Sequence, residues 1–242
     1  VISLDHVTKA YGSTTALSDV SLEVRKGERI GVVGSSGSGK TTLLKLITGL
    51  EQPTSGSVQV EGRVQMVFQD PQGSLNPRMP IWKIVAEGSP TPVTRAEIAK
   101  VLAEVGIDED ALDRFPHEFS GGQRQRVWIA MALAQRTDIL LLDEPTTYLD
   151  IKHQLEVLDL LVELNETHGT TIAMVIHDLN LAARYSDELI AVSNGNVYAQ
   201  GSPQDVMTQQ TVKDVFGVDS VIVEDPVSGL PAVMPIGKRK VK

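Results

Sequence analysis

The chain has 242 residues, a formal net charge of −9 and 41% hydrophobic residues, enough to bury the core of one large or two small domains. The acidic balance argues against a general nucleic-acid surface, and the lack of cysteine excludes disulfides, thiolate metal sites and thiol catalysis. No run reaches the ~18 apolar residues of a membrane span, and VISLDHVTKAYG lacks the basic-then-apolar order of a signal peptide, so work at a membrane is expected to go through a partner.

In chain order, residues 2–7 and 17–24 alternate polar and apolar, which predicts strands with one wet face and Tyr11-Gly12 in the turn between them. The Lys26-Gly27-Glu28 turn leads to a buried strand, Ile30–Val33, then a glycine-rich turn and a helix from about Thr41 to Thr48. That turn, Gly34, Ser35, Ser36, Gly37, Ser38, Gly39, Lys40, Thr41, Thr42, fits G-x-x-x-x-G-K-[ST]. Its glycines let successive N–H groups point at an anion, and the helix start adds unpaired N–H groups and a positive dipole end. Lys40 supplies a point charge for the β- and γ-phosphates, and the Thr41 hydroxyl is a hard ligand suited to Mg²⁺. The stretch therefore predicts nucleoside triphosphate binding.

EQPTSG, residues 51–56, reads as a loop, and Val58–Val60 with Val64–Phe68 reads as a strand pair joined by Gly62. Pro71, Pro77, Pro80, Pro90 and Pro92, and later Pro116, break long periodicity. A helix returns over Thr94–Val105, with Thr94 as N-cap to Glu97. Residues of about 71–136 read as an inserted, mainly helical subdomain. Beyond it come strands at Ile139–Leu142, Thr171–Ile176 and Leu189–Ser193, with helices at Ile151–His168 and Leu179–Tyr185 between them. Asn194-Gly195 is a hairpin turn signal, two short helices fall near 203–216, and a small β element lies near 219–236. Lys238–Lys242 carries four basic side chains and reads as a solvated tail.

Two further stretches carry chemistry. Ile139–Leu142 is wholly apolar, as a parallel strand buried on both faces must be, and ends in Asp143 and Glu144. Ligands of such sheets bind at carboxyl ends of strands, which puts the pair beside the phosphate loop, Asp143 toward Mg²⁺ and Glu144 as general base. Ser120-Gly121-Gly122-Gln123 opens a helix running to about Gln135 and is a second anion-ready turn. One triphosphate needs only one such turn; read alone, this one is an ordinary helix cap.

Together these motifs resemble the nucleotide-binding ATPase subunit of an ATP-binding-cassette (ABC) transporter, across nearly the whole length and in that family's order. The resemblance implies an α/β fold: a P-loop NTPase core with a parallel sheet (1–70 and 137–242), an N-terminal antiparallel β subdomain and the inserted helical subdomain. Tyr11 resembles the aromatic that stacks on adenine. Gln69, closing VQMVFQ, resembles the glutamine that touches Mg²⁺ and the attacking water. Ser120–Gln123 is the signature, Asp143-Glu144 the metal and catalytic pair, Asp150 part of the dimer loop and His177 the switch histidine. The likeness further implies ATP and Mg²⁺, a head-to-tail dimer (homodimer, or heterodimer with a related subunit), transmembrane permease partners docked on 70–90 and a peripheral place on the cytoplasmic face of the cell membrane. Phe119 and Tyr148 depart from the usual Leu and small residue but leave the anion ligands intact. FQDPQGSLNPRM and PHEFSGGQRQR resemble peptide and nickel importers, whereas RVWIAMALAQRTDILLLDEPTTYLDIKHQ and IHDLNLAARYSDELI resemble ferric-siderophore and vitamin B12 importers. The rival expectations are a soluble ABC-type mechanical ATPase and a nucleotide-binding regulator without turnover.

Overall fold

The computed structural model describes residues 1–68, 75–89 and 91–237. It divides into two compact units, residues 1–61 with 173–242 and residues 62–172. Gln69 and the basic tail 238–242 lie outside the described residues.

The first unit begins with an antiparallel sheet of β1 (Ile2–Tyr11), β2 (Thr14–Val24) and β4 (Ser55–Val60), in the order β2-β1-β4. β1 and β2 are longer than their alternation predicts. Register shifts between Leu4 and Ala10 break the period of two, and His6 and Asp19 adopt positive φ there. The second layer holds β3 (Arg29–Val33), parallel to β8 (Glu188–Ser193), which pairs antiparallel with β9 (Asn196–Gly201) across the Asn194-Gly195 turn. β7 (Thr171–Val175), whose last three residues fall in this unit, lies on the other side of β3. β3 is buried from its second residue on and β8 over its four central ones, whereas β9 alternates between exposed and half-buried, as a partnered edge does.

α1 (Lys40–Ile47) follows β3, and α6 (Leu179–Tyr185) follows β7. α7 (Pro203–Val206) and α8 (Gln209–Phe216) precede a C-terminal hairpin, β10 (Ser220–Glu224) with β11 (Pro231–Pro235), as expected near 219–236. The hairpin is tied to α6: the Asn180 side chain donates to Val233 O and accepts Val233 N–H, standing in for a neighbouring strand. Arg184 pairs with Asp225 at 2.6 Å. The Val227 backbone N–H, the Arg184 guanidinium and the Ser228 hydroxyl lower the Asp225 carboxyl to about 2.

In the second unit β5 (Val64–Val67) runs parallel to β6 (Ile139–Asp143), which is buried at every position. This corrects the expected strand pair of Val58–Val60 with Val64–Phe68: β4 pairs with β1, and β5 with β6. A short connector suggests a hairpin, but β4 is an open, half-exposed edge suited to an antiparallel neighbour, and β5 ends in buried Met66 and Val67. The proline-rich stretch also contains a helix that periodicity missed, α2 (Ile81–Glu87), which starts after Pro80 and buries Ile81, Ile84 and Val85. Seven residues are too few for a periodic signal, and the helix depends on packing against α4 (Gly121–Ala134). α3 (Arg95–Glu104) carries the expected capping box of Thr94 and Glu97 and also packs on α4. α5 (Ile151–His168) closes the unit beside α4.

Candidate active site

Within the first unit the phosphate loop joins β3 to α1. Gly34, Gly37 and Gly39 have φ of 157°, 74° and 110°, the last two in the region that favours glycine. A Cβ on Gly39 would lie 2.6 Å from Ala16 O and 2.7 Å from Leu17 Cδ2, so β2 presses on the loop where the helix begins. A Cβ on Gly34 would collide with Val192 O. Gly37 has open space beside it, and Ser35 and Ser36 are exposed, leaving that crest of the loop accessible. Ser38 is buried, and its Oγ has no hydrogen-bond partner among the described residues. The Gly195 N–H donates to Ser38 O at 3.0 Å, and Ser18 N–H to Gly195 O at 2.8 Å. The β8–β9 turn thus braces the loop, a role its sequence signal does not disclose.

Lys40 is 6% exposed, and its Nζ donates to Gly34 O at 3.0 Å and Ser35 O at 2.8 Å. These carbonyl dipoles hold the ammonium on the loop. No side chain caps α1, whose N-cap is Gly39 in the left-handed region. Glycines without Cβ atoms, a buried hydroxyl, a buried ammonium and an uncapped helix start suit the polyphosphate of ATP. Thr41 is exposed in the first turn of α1.

Tyr11 closes β1, pairs with Thr14 and is 44% exposed, with Lys9 Nζ 4.8 Å from its ring centroid. Lys9 is held in turn by Glu51 at 2.8 Å. Ile176 N–H donates to Val32 O, so His177 leaves the sheet beside the strand that feeds the loop. It precedes Asp178, whose Oδ1 caps α6 by accepting the N–H groups of Asn180 and Leu181.

In the second unit β6 delivers Asp143, 5% exposed, at its carboxyl end. Glu144 follows with φ 55°, a left-handed conformation costly for a non-glycine residue and common where a side chain is aimed for function. The Thr147 hydroxyl donates to Glu144 Oε2 at 3.1 Å. Among the described residues no cluster of three or more His, Cys, Asp or Glu side chains is able to cage a metal. Mg²⁺ does not need one, because it keeps waters and takes one or two protein oxygens beside substrate phosphates; Thr41 in the first unit and Asp143 in the second are each a hard oxygen donor of that kind.

The signature turn opens α4. Ser120 Oγ accepts the Gln123 N–H at 3.3 Å and Gln123 Oε1 accepts the Ser120 N–H at 3.0 Å, a reciprocal capping box. Phe119 is buried, and its carbonyl accepts Arg124 Nε. Asp150, the expected dimer-loop residue, caps α5 through the His153 N–H. That N–H, and then the imidazole, hold the Asp150 carboxyl below the usual range. The residues that sequence reasoning missed are Gly195 and His153; only Gly195 had a local signal, read as a turn and nothing more.

A family profile described as ABC transporter matches residues 17–147. The petrobactin import ATP-binding protein FpuD of Bacillus anthracis is 43% identical over 96% of this chain and 92% of its own. The probable D,D-dipeptide transport ATP-binding protein DdpF of Escherichia coli K12 is 42% identical over 81% of this chain and 68% of its own. Among solved structures, a dimeric post-hydrolysis state of an ATP-binding cassette bound to ADP and Pi matches with a TM-score of 0.74 and 32% identity, covering 84% of this chain and 98% of that one. The chain belongs to the ATP-binding-cassette transporter family, as one of its ATP-binding, ATP-hydrolysing members.

Proposed function

We propose that this chain powers import through a membrane permease, working as a head-to-tail dimer at the cytoplasmic face of the cell membrane. The observation that carries the reading is the presence of two glycine-rich helix starts, Gly34–Thr42 and Ser120–Gln123, for one nucleotide per chain. Each ATP would lie between the phosphate loop of one chain and the signature of the other. The partner chain is a second copy or a related subunit, and nucleic acid has no part in the cycle.

In this reading the whole chain is one cassette, with core residues 1–70 and 137–242 and a helical signature subdomain of about 71–136. Residues 70–90 are the proposed permease-docking stretch. Among the described residues no helix is long and apolar enough to cross a membrane. Relatives named for petrobactin import and for D,D-dipeptide transport favour the transport role over a soluble mechanical ATPase. They also favour a siderophore-type or peptide cargo, selected by the partner and not touched by this chain.

The chemistry is positioning and electrostatics. Tyr11 stacks on the base. Lys40 exchanges the carbonyls of Gly34 and Ser35 for the β- and γ-phosphates, joined by the N–H groups of residues 35–42. Thr41, Asp143 and Gln69 would hold Mg²⁺, which neutralises phosphate charge when bound. Glu144 takes the proton of the attacking water, and His177 orients the γ-phosphate.

The test uses Lys40→Ala and Ser120→Arg proteins, each inactive alone because every site has one broken half. In a mixed dimer both lesions fall in one site and the other is intact, so mixing is expected to restore ATPase activity. Continued inactivity in mixtures where heterodimers have been demonstrated would overturn the shared site.

A further inference from the structure

The signature turn and the dimer loop sit at the starts of two packed helices, α4 and α5, and one side chain stands between them. Asp150 Oδ1 accepts the backbone N–H of His153 at 2.9 Å and lies 2.8 Å from His153 Nδ1. The imidazole rests against the second signature glycine. A Cβ on Gly122 would fall 2.9 Å from His153 Cδ2 and 3.3 Å from its Cβ and Cγ. Gly122 is buried and has no positive φ, so its missing side chain serves the ring and not the backbone. The neighbouring residue secures the rest of the loop: Gln154 Nε2 donates to Leu149 O at 2.9 Å and Thr146 O at 3.3 Å. From that loop the Thr147 hydroxyl reaches Glu144 Oε2 at 3.1 Å.

Capping alone does not account for the ring. The Asp150 carboxylate already caps α5 through the His153 backbone N–H, as any residue at that position would allow. The loop meanwhile holds Tyr148 at φ 65° and follows Glu144 at φ 55°, conformations that persist only where surrounding contacts fix them. Those contacts come from Asp150 with His153, from Gln154 and from Thr147.

Resting on the dimeric reading above, we infer that His153 is a positioning residue that binds the signature turn and the dimer loop into one piece and, through Thr147, sets the Glu144 carboxylate. A nucleotide seated on Ser120–Gln123 then fixes Asp150 and Glu144 through these contacts, from Gly122 to His153 and Asp150 and on through Thr147. ATP capture by a chain's own phosphate loop does not use this path, so the effect belongs in kcat and not in KM.

Three variants test it by ATP titration of steady-state hydrolysis. His153→Leu keeps bulk over Gly122 but removes the hydrogen bond to Asp150; His153→Asn restores a donor where Nδ1 stands. Gly122→Ala displaces the ring while leaving its nitrogens intact. His153→Leu and Gly122→Ala are expected to lower kcat about tenfold or more with KM for ATP within about twofold, the loss of one hydrogen bond to a charged group. His153→Asn is expected to keep kcat within about threefold of the parent. Unchanged kcat in His153→Leu, a change confined to KM, or an Asn variant as slow as Leu each overturns the inference. Should His153→Leu not fold, His153→Phe, which also covers Gly122 and lacks the hydrogen bond to Asp150, is read by the same outcomes. The Lys40→Ala and Ser120→Arg mixture separates the two claims: an inactive mixed dimer removes the dimeric reading, whereas an active one with normal kcat in His153→Leu removes only the role of His153.

Discussion

The phosphate loop and the signature turn are both glycine-rich helix starts, but they treat their backbone N–H groups differently. At α1 the N-cap is Gly39 in a left-handed conformation, no side chain caps the helix, and the nearby cation is folded onto the loop's own carbonyls. At α4 the Ser120 and Gln123 side chains cap each other's backbone in a closed box. The first turn is an open cradle that a ligand completes. The second is satisfied by itself and gains from a ligand only at the glycine N–H groups beyond the box. In the proposed dimer, that difference suits a primary binding site and a secondary clamp that engages when a partner brings its nucleotide.

The largest expected effect lies on the cradle. Lys40→Ala removes a charge-assisted contact to phosphate, so ATP affinity should fall by about 10- to 100-fold, measured by calorimetric titration of the separate chains. Unchanged affinity would mean that the loop does not hold the triphosphate.

Next comes a contrast between glycines. Alanine at Gly39 meets φ 110° and a Cβ 2.6 Å from Ala16 O, whereas a Cβ on Gly121 lies 3.4 Å from Leu149 Cδ2, an ordinary contact. Gly39→Ala should cost about 1–3 kcal/mol of unfolding free energy in denaturant titrations. Gly121→Ala should be neutral or slightly stabilising, since alanine prefers a helix to glycine. Equal losses at both positions would dissolve the distinction between a strained cradle and a relaxed cap.

The smallest effect belongs to the box. Ser120→Ala leaves the Gln123 N–H without its acceptor and should cost about 1 kcal/mol, read as a lowered thermal midpoint. ATP affinity of the separated chain should not change. If it falls as far as in Lys40→Ala, the signature serves its own chain and the comparison fails.

The sequence by itself determined the features written in consecutive residues. G-x-x-x-x-G-K-T dictates a phosphate loop because the chemistry needs backbone flexibility, a lysine and a hydroxyl at fixed spacing along one turn. The apolar runs at 30–33 and 139–142 announced strands buried on both faces, and Thr94 with Glu97 announced a helix start; both outcomes follow from local propensity and period. Tertiary structure decided what depends on distant partners. It gave β4 to β1 and β5 to β6, because strand pairing is settled by which edge and which buried face are on offer. It supplied the packing that makes a helix of Ile81–Glu87. It set Gly195 against Ser38 and laid the His153 ring on Gly122, contacts across 157 and 31 positions that no local pattern encodes. A motif specifies its own backbone; the residues that hold it in place are chosen by the fold around it.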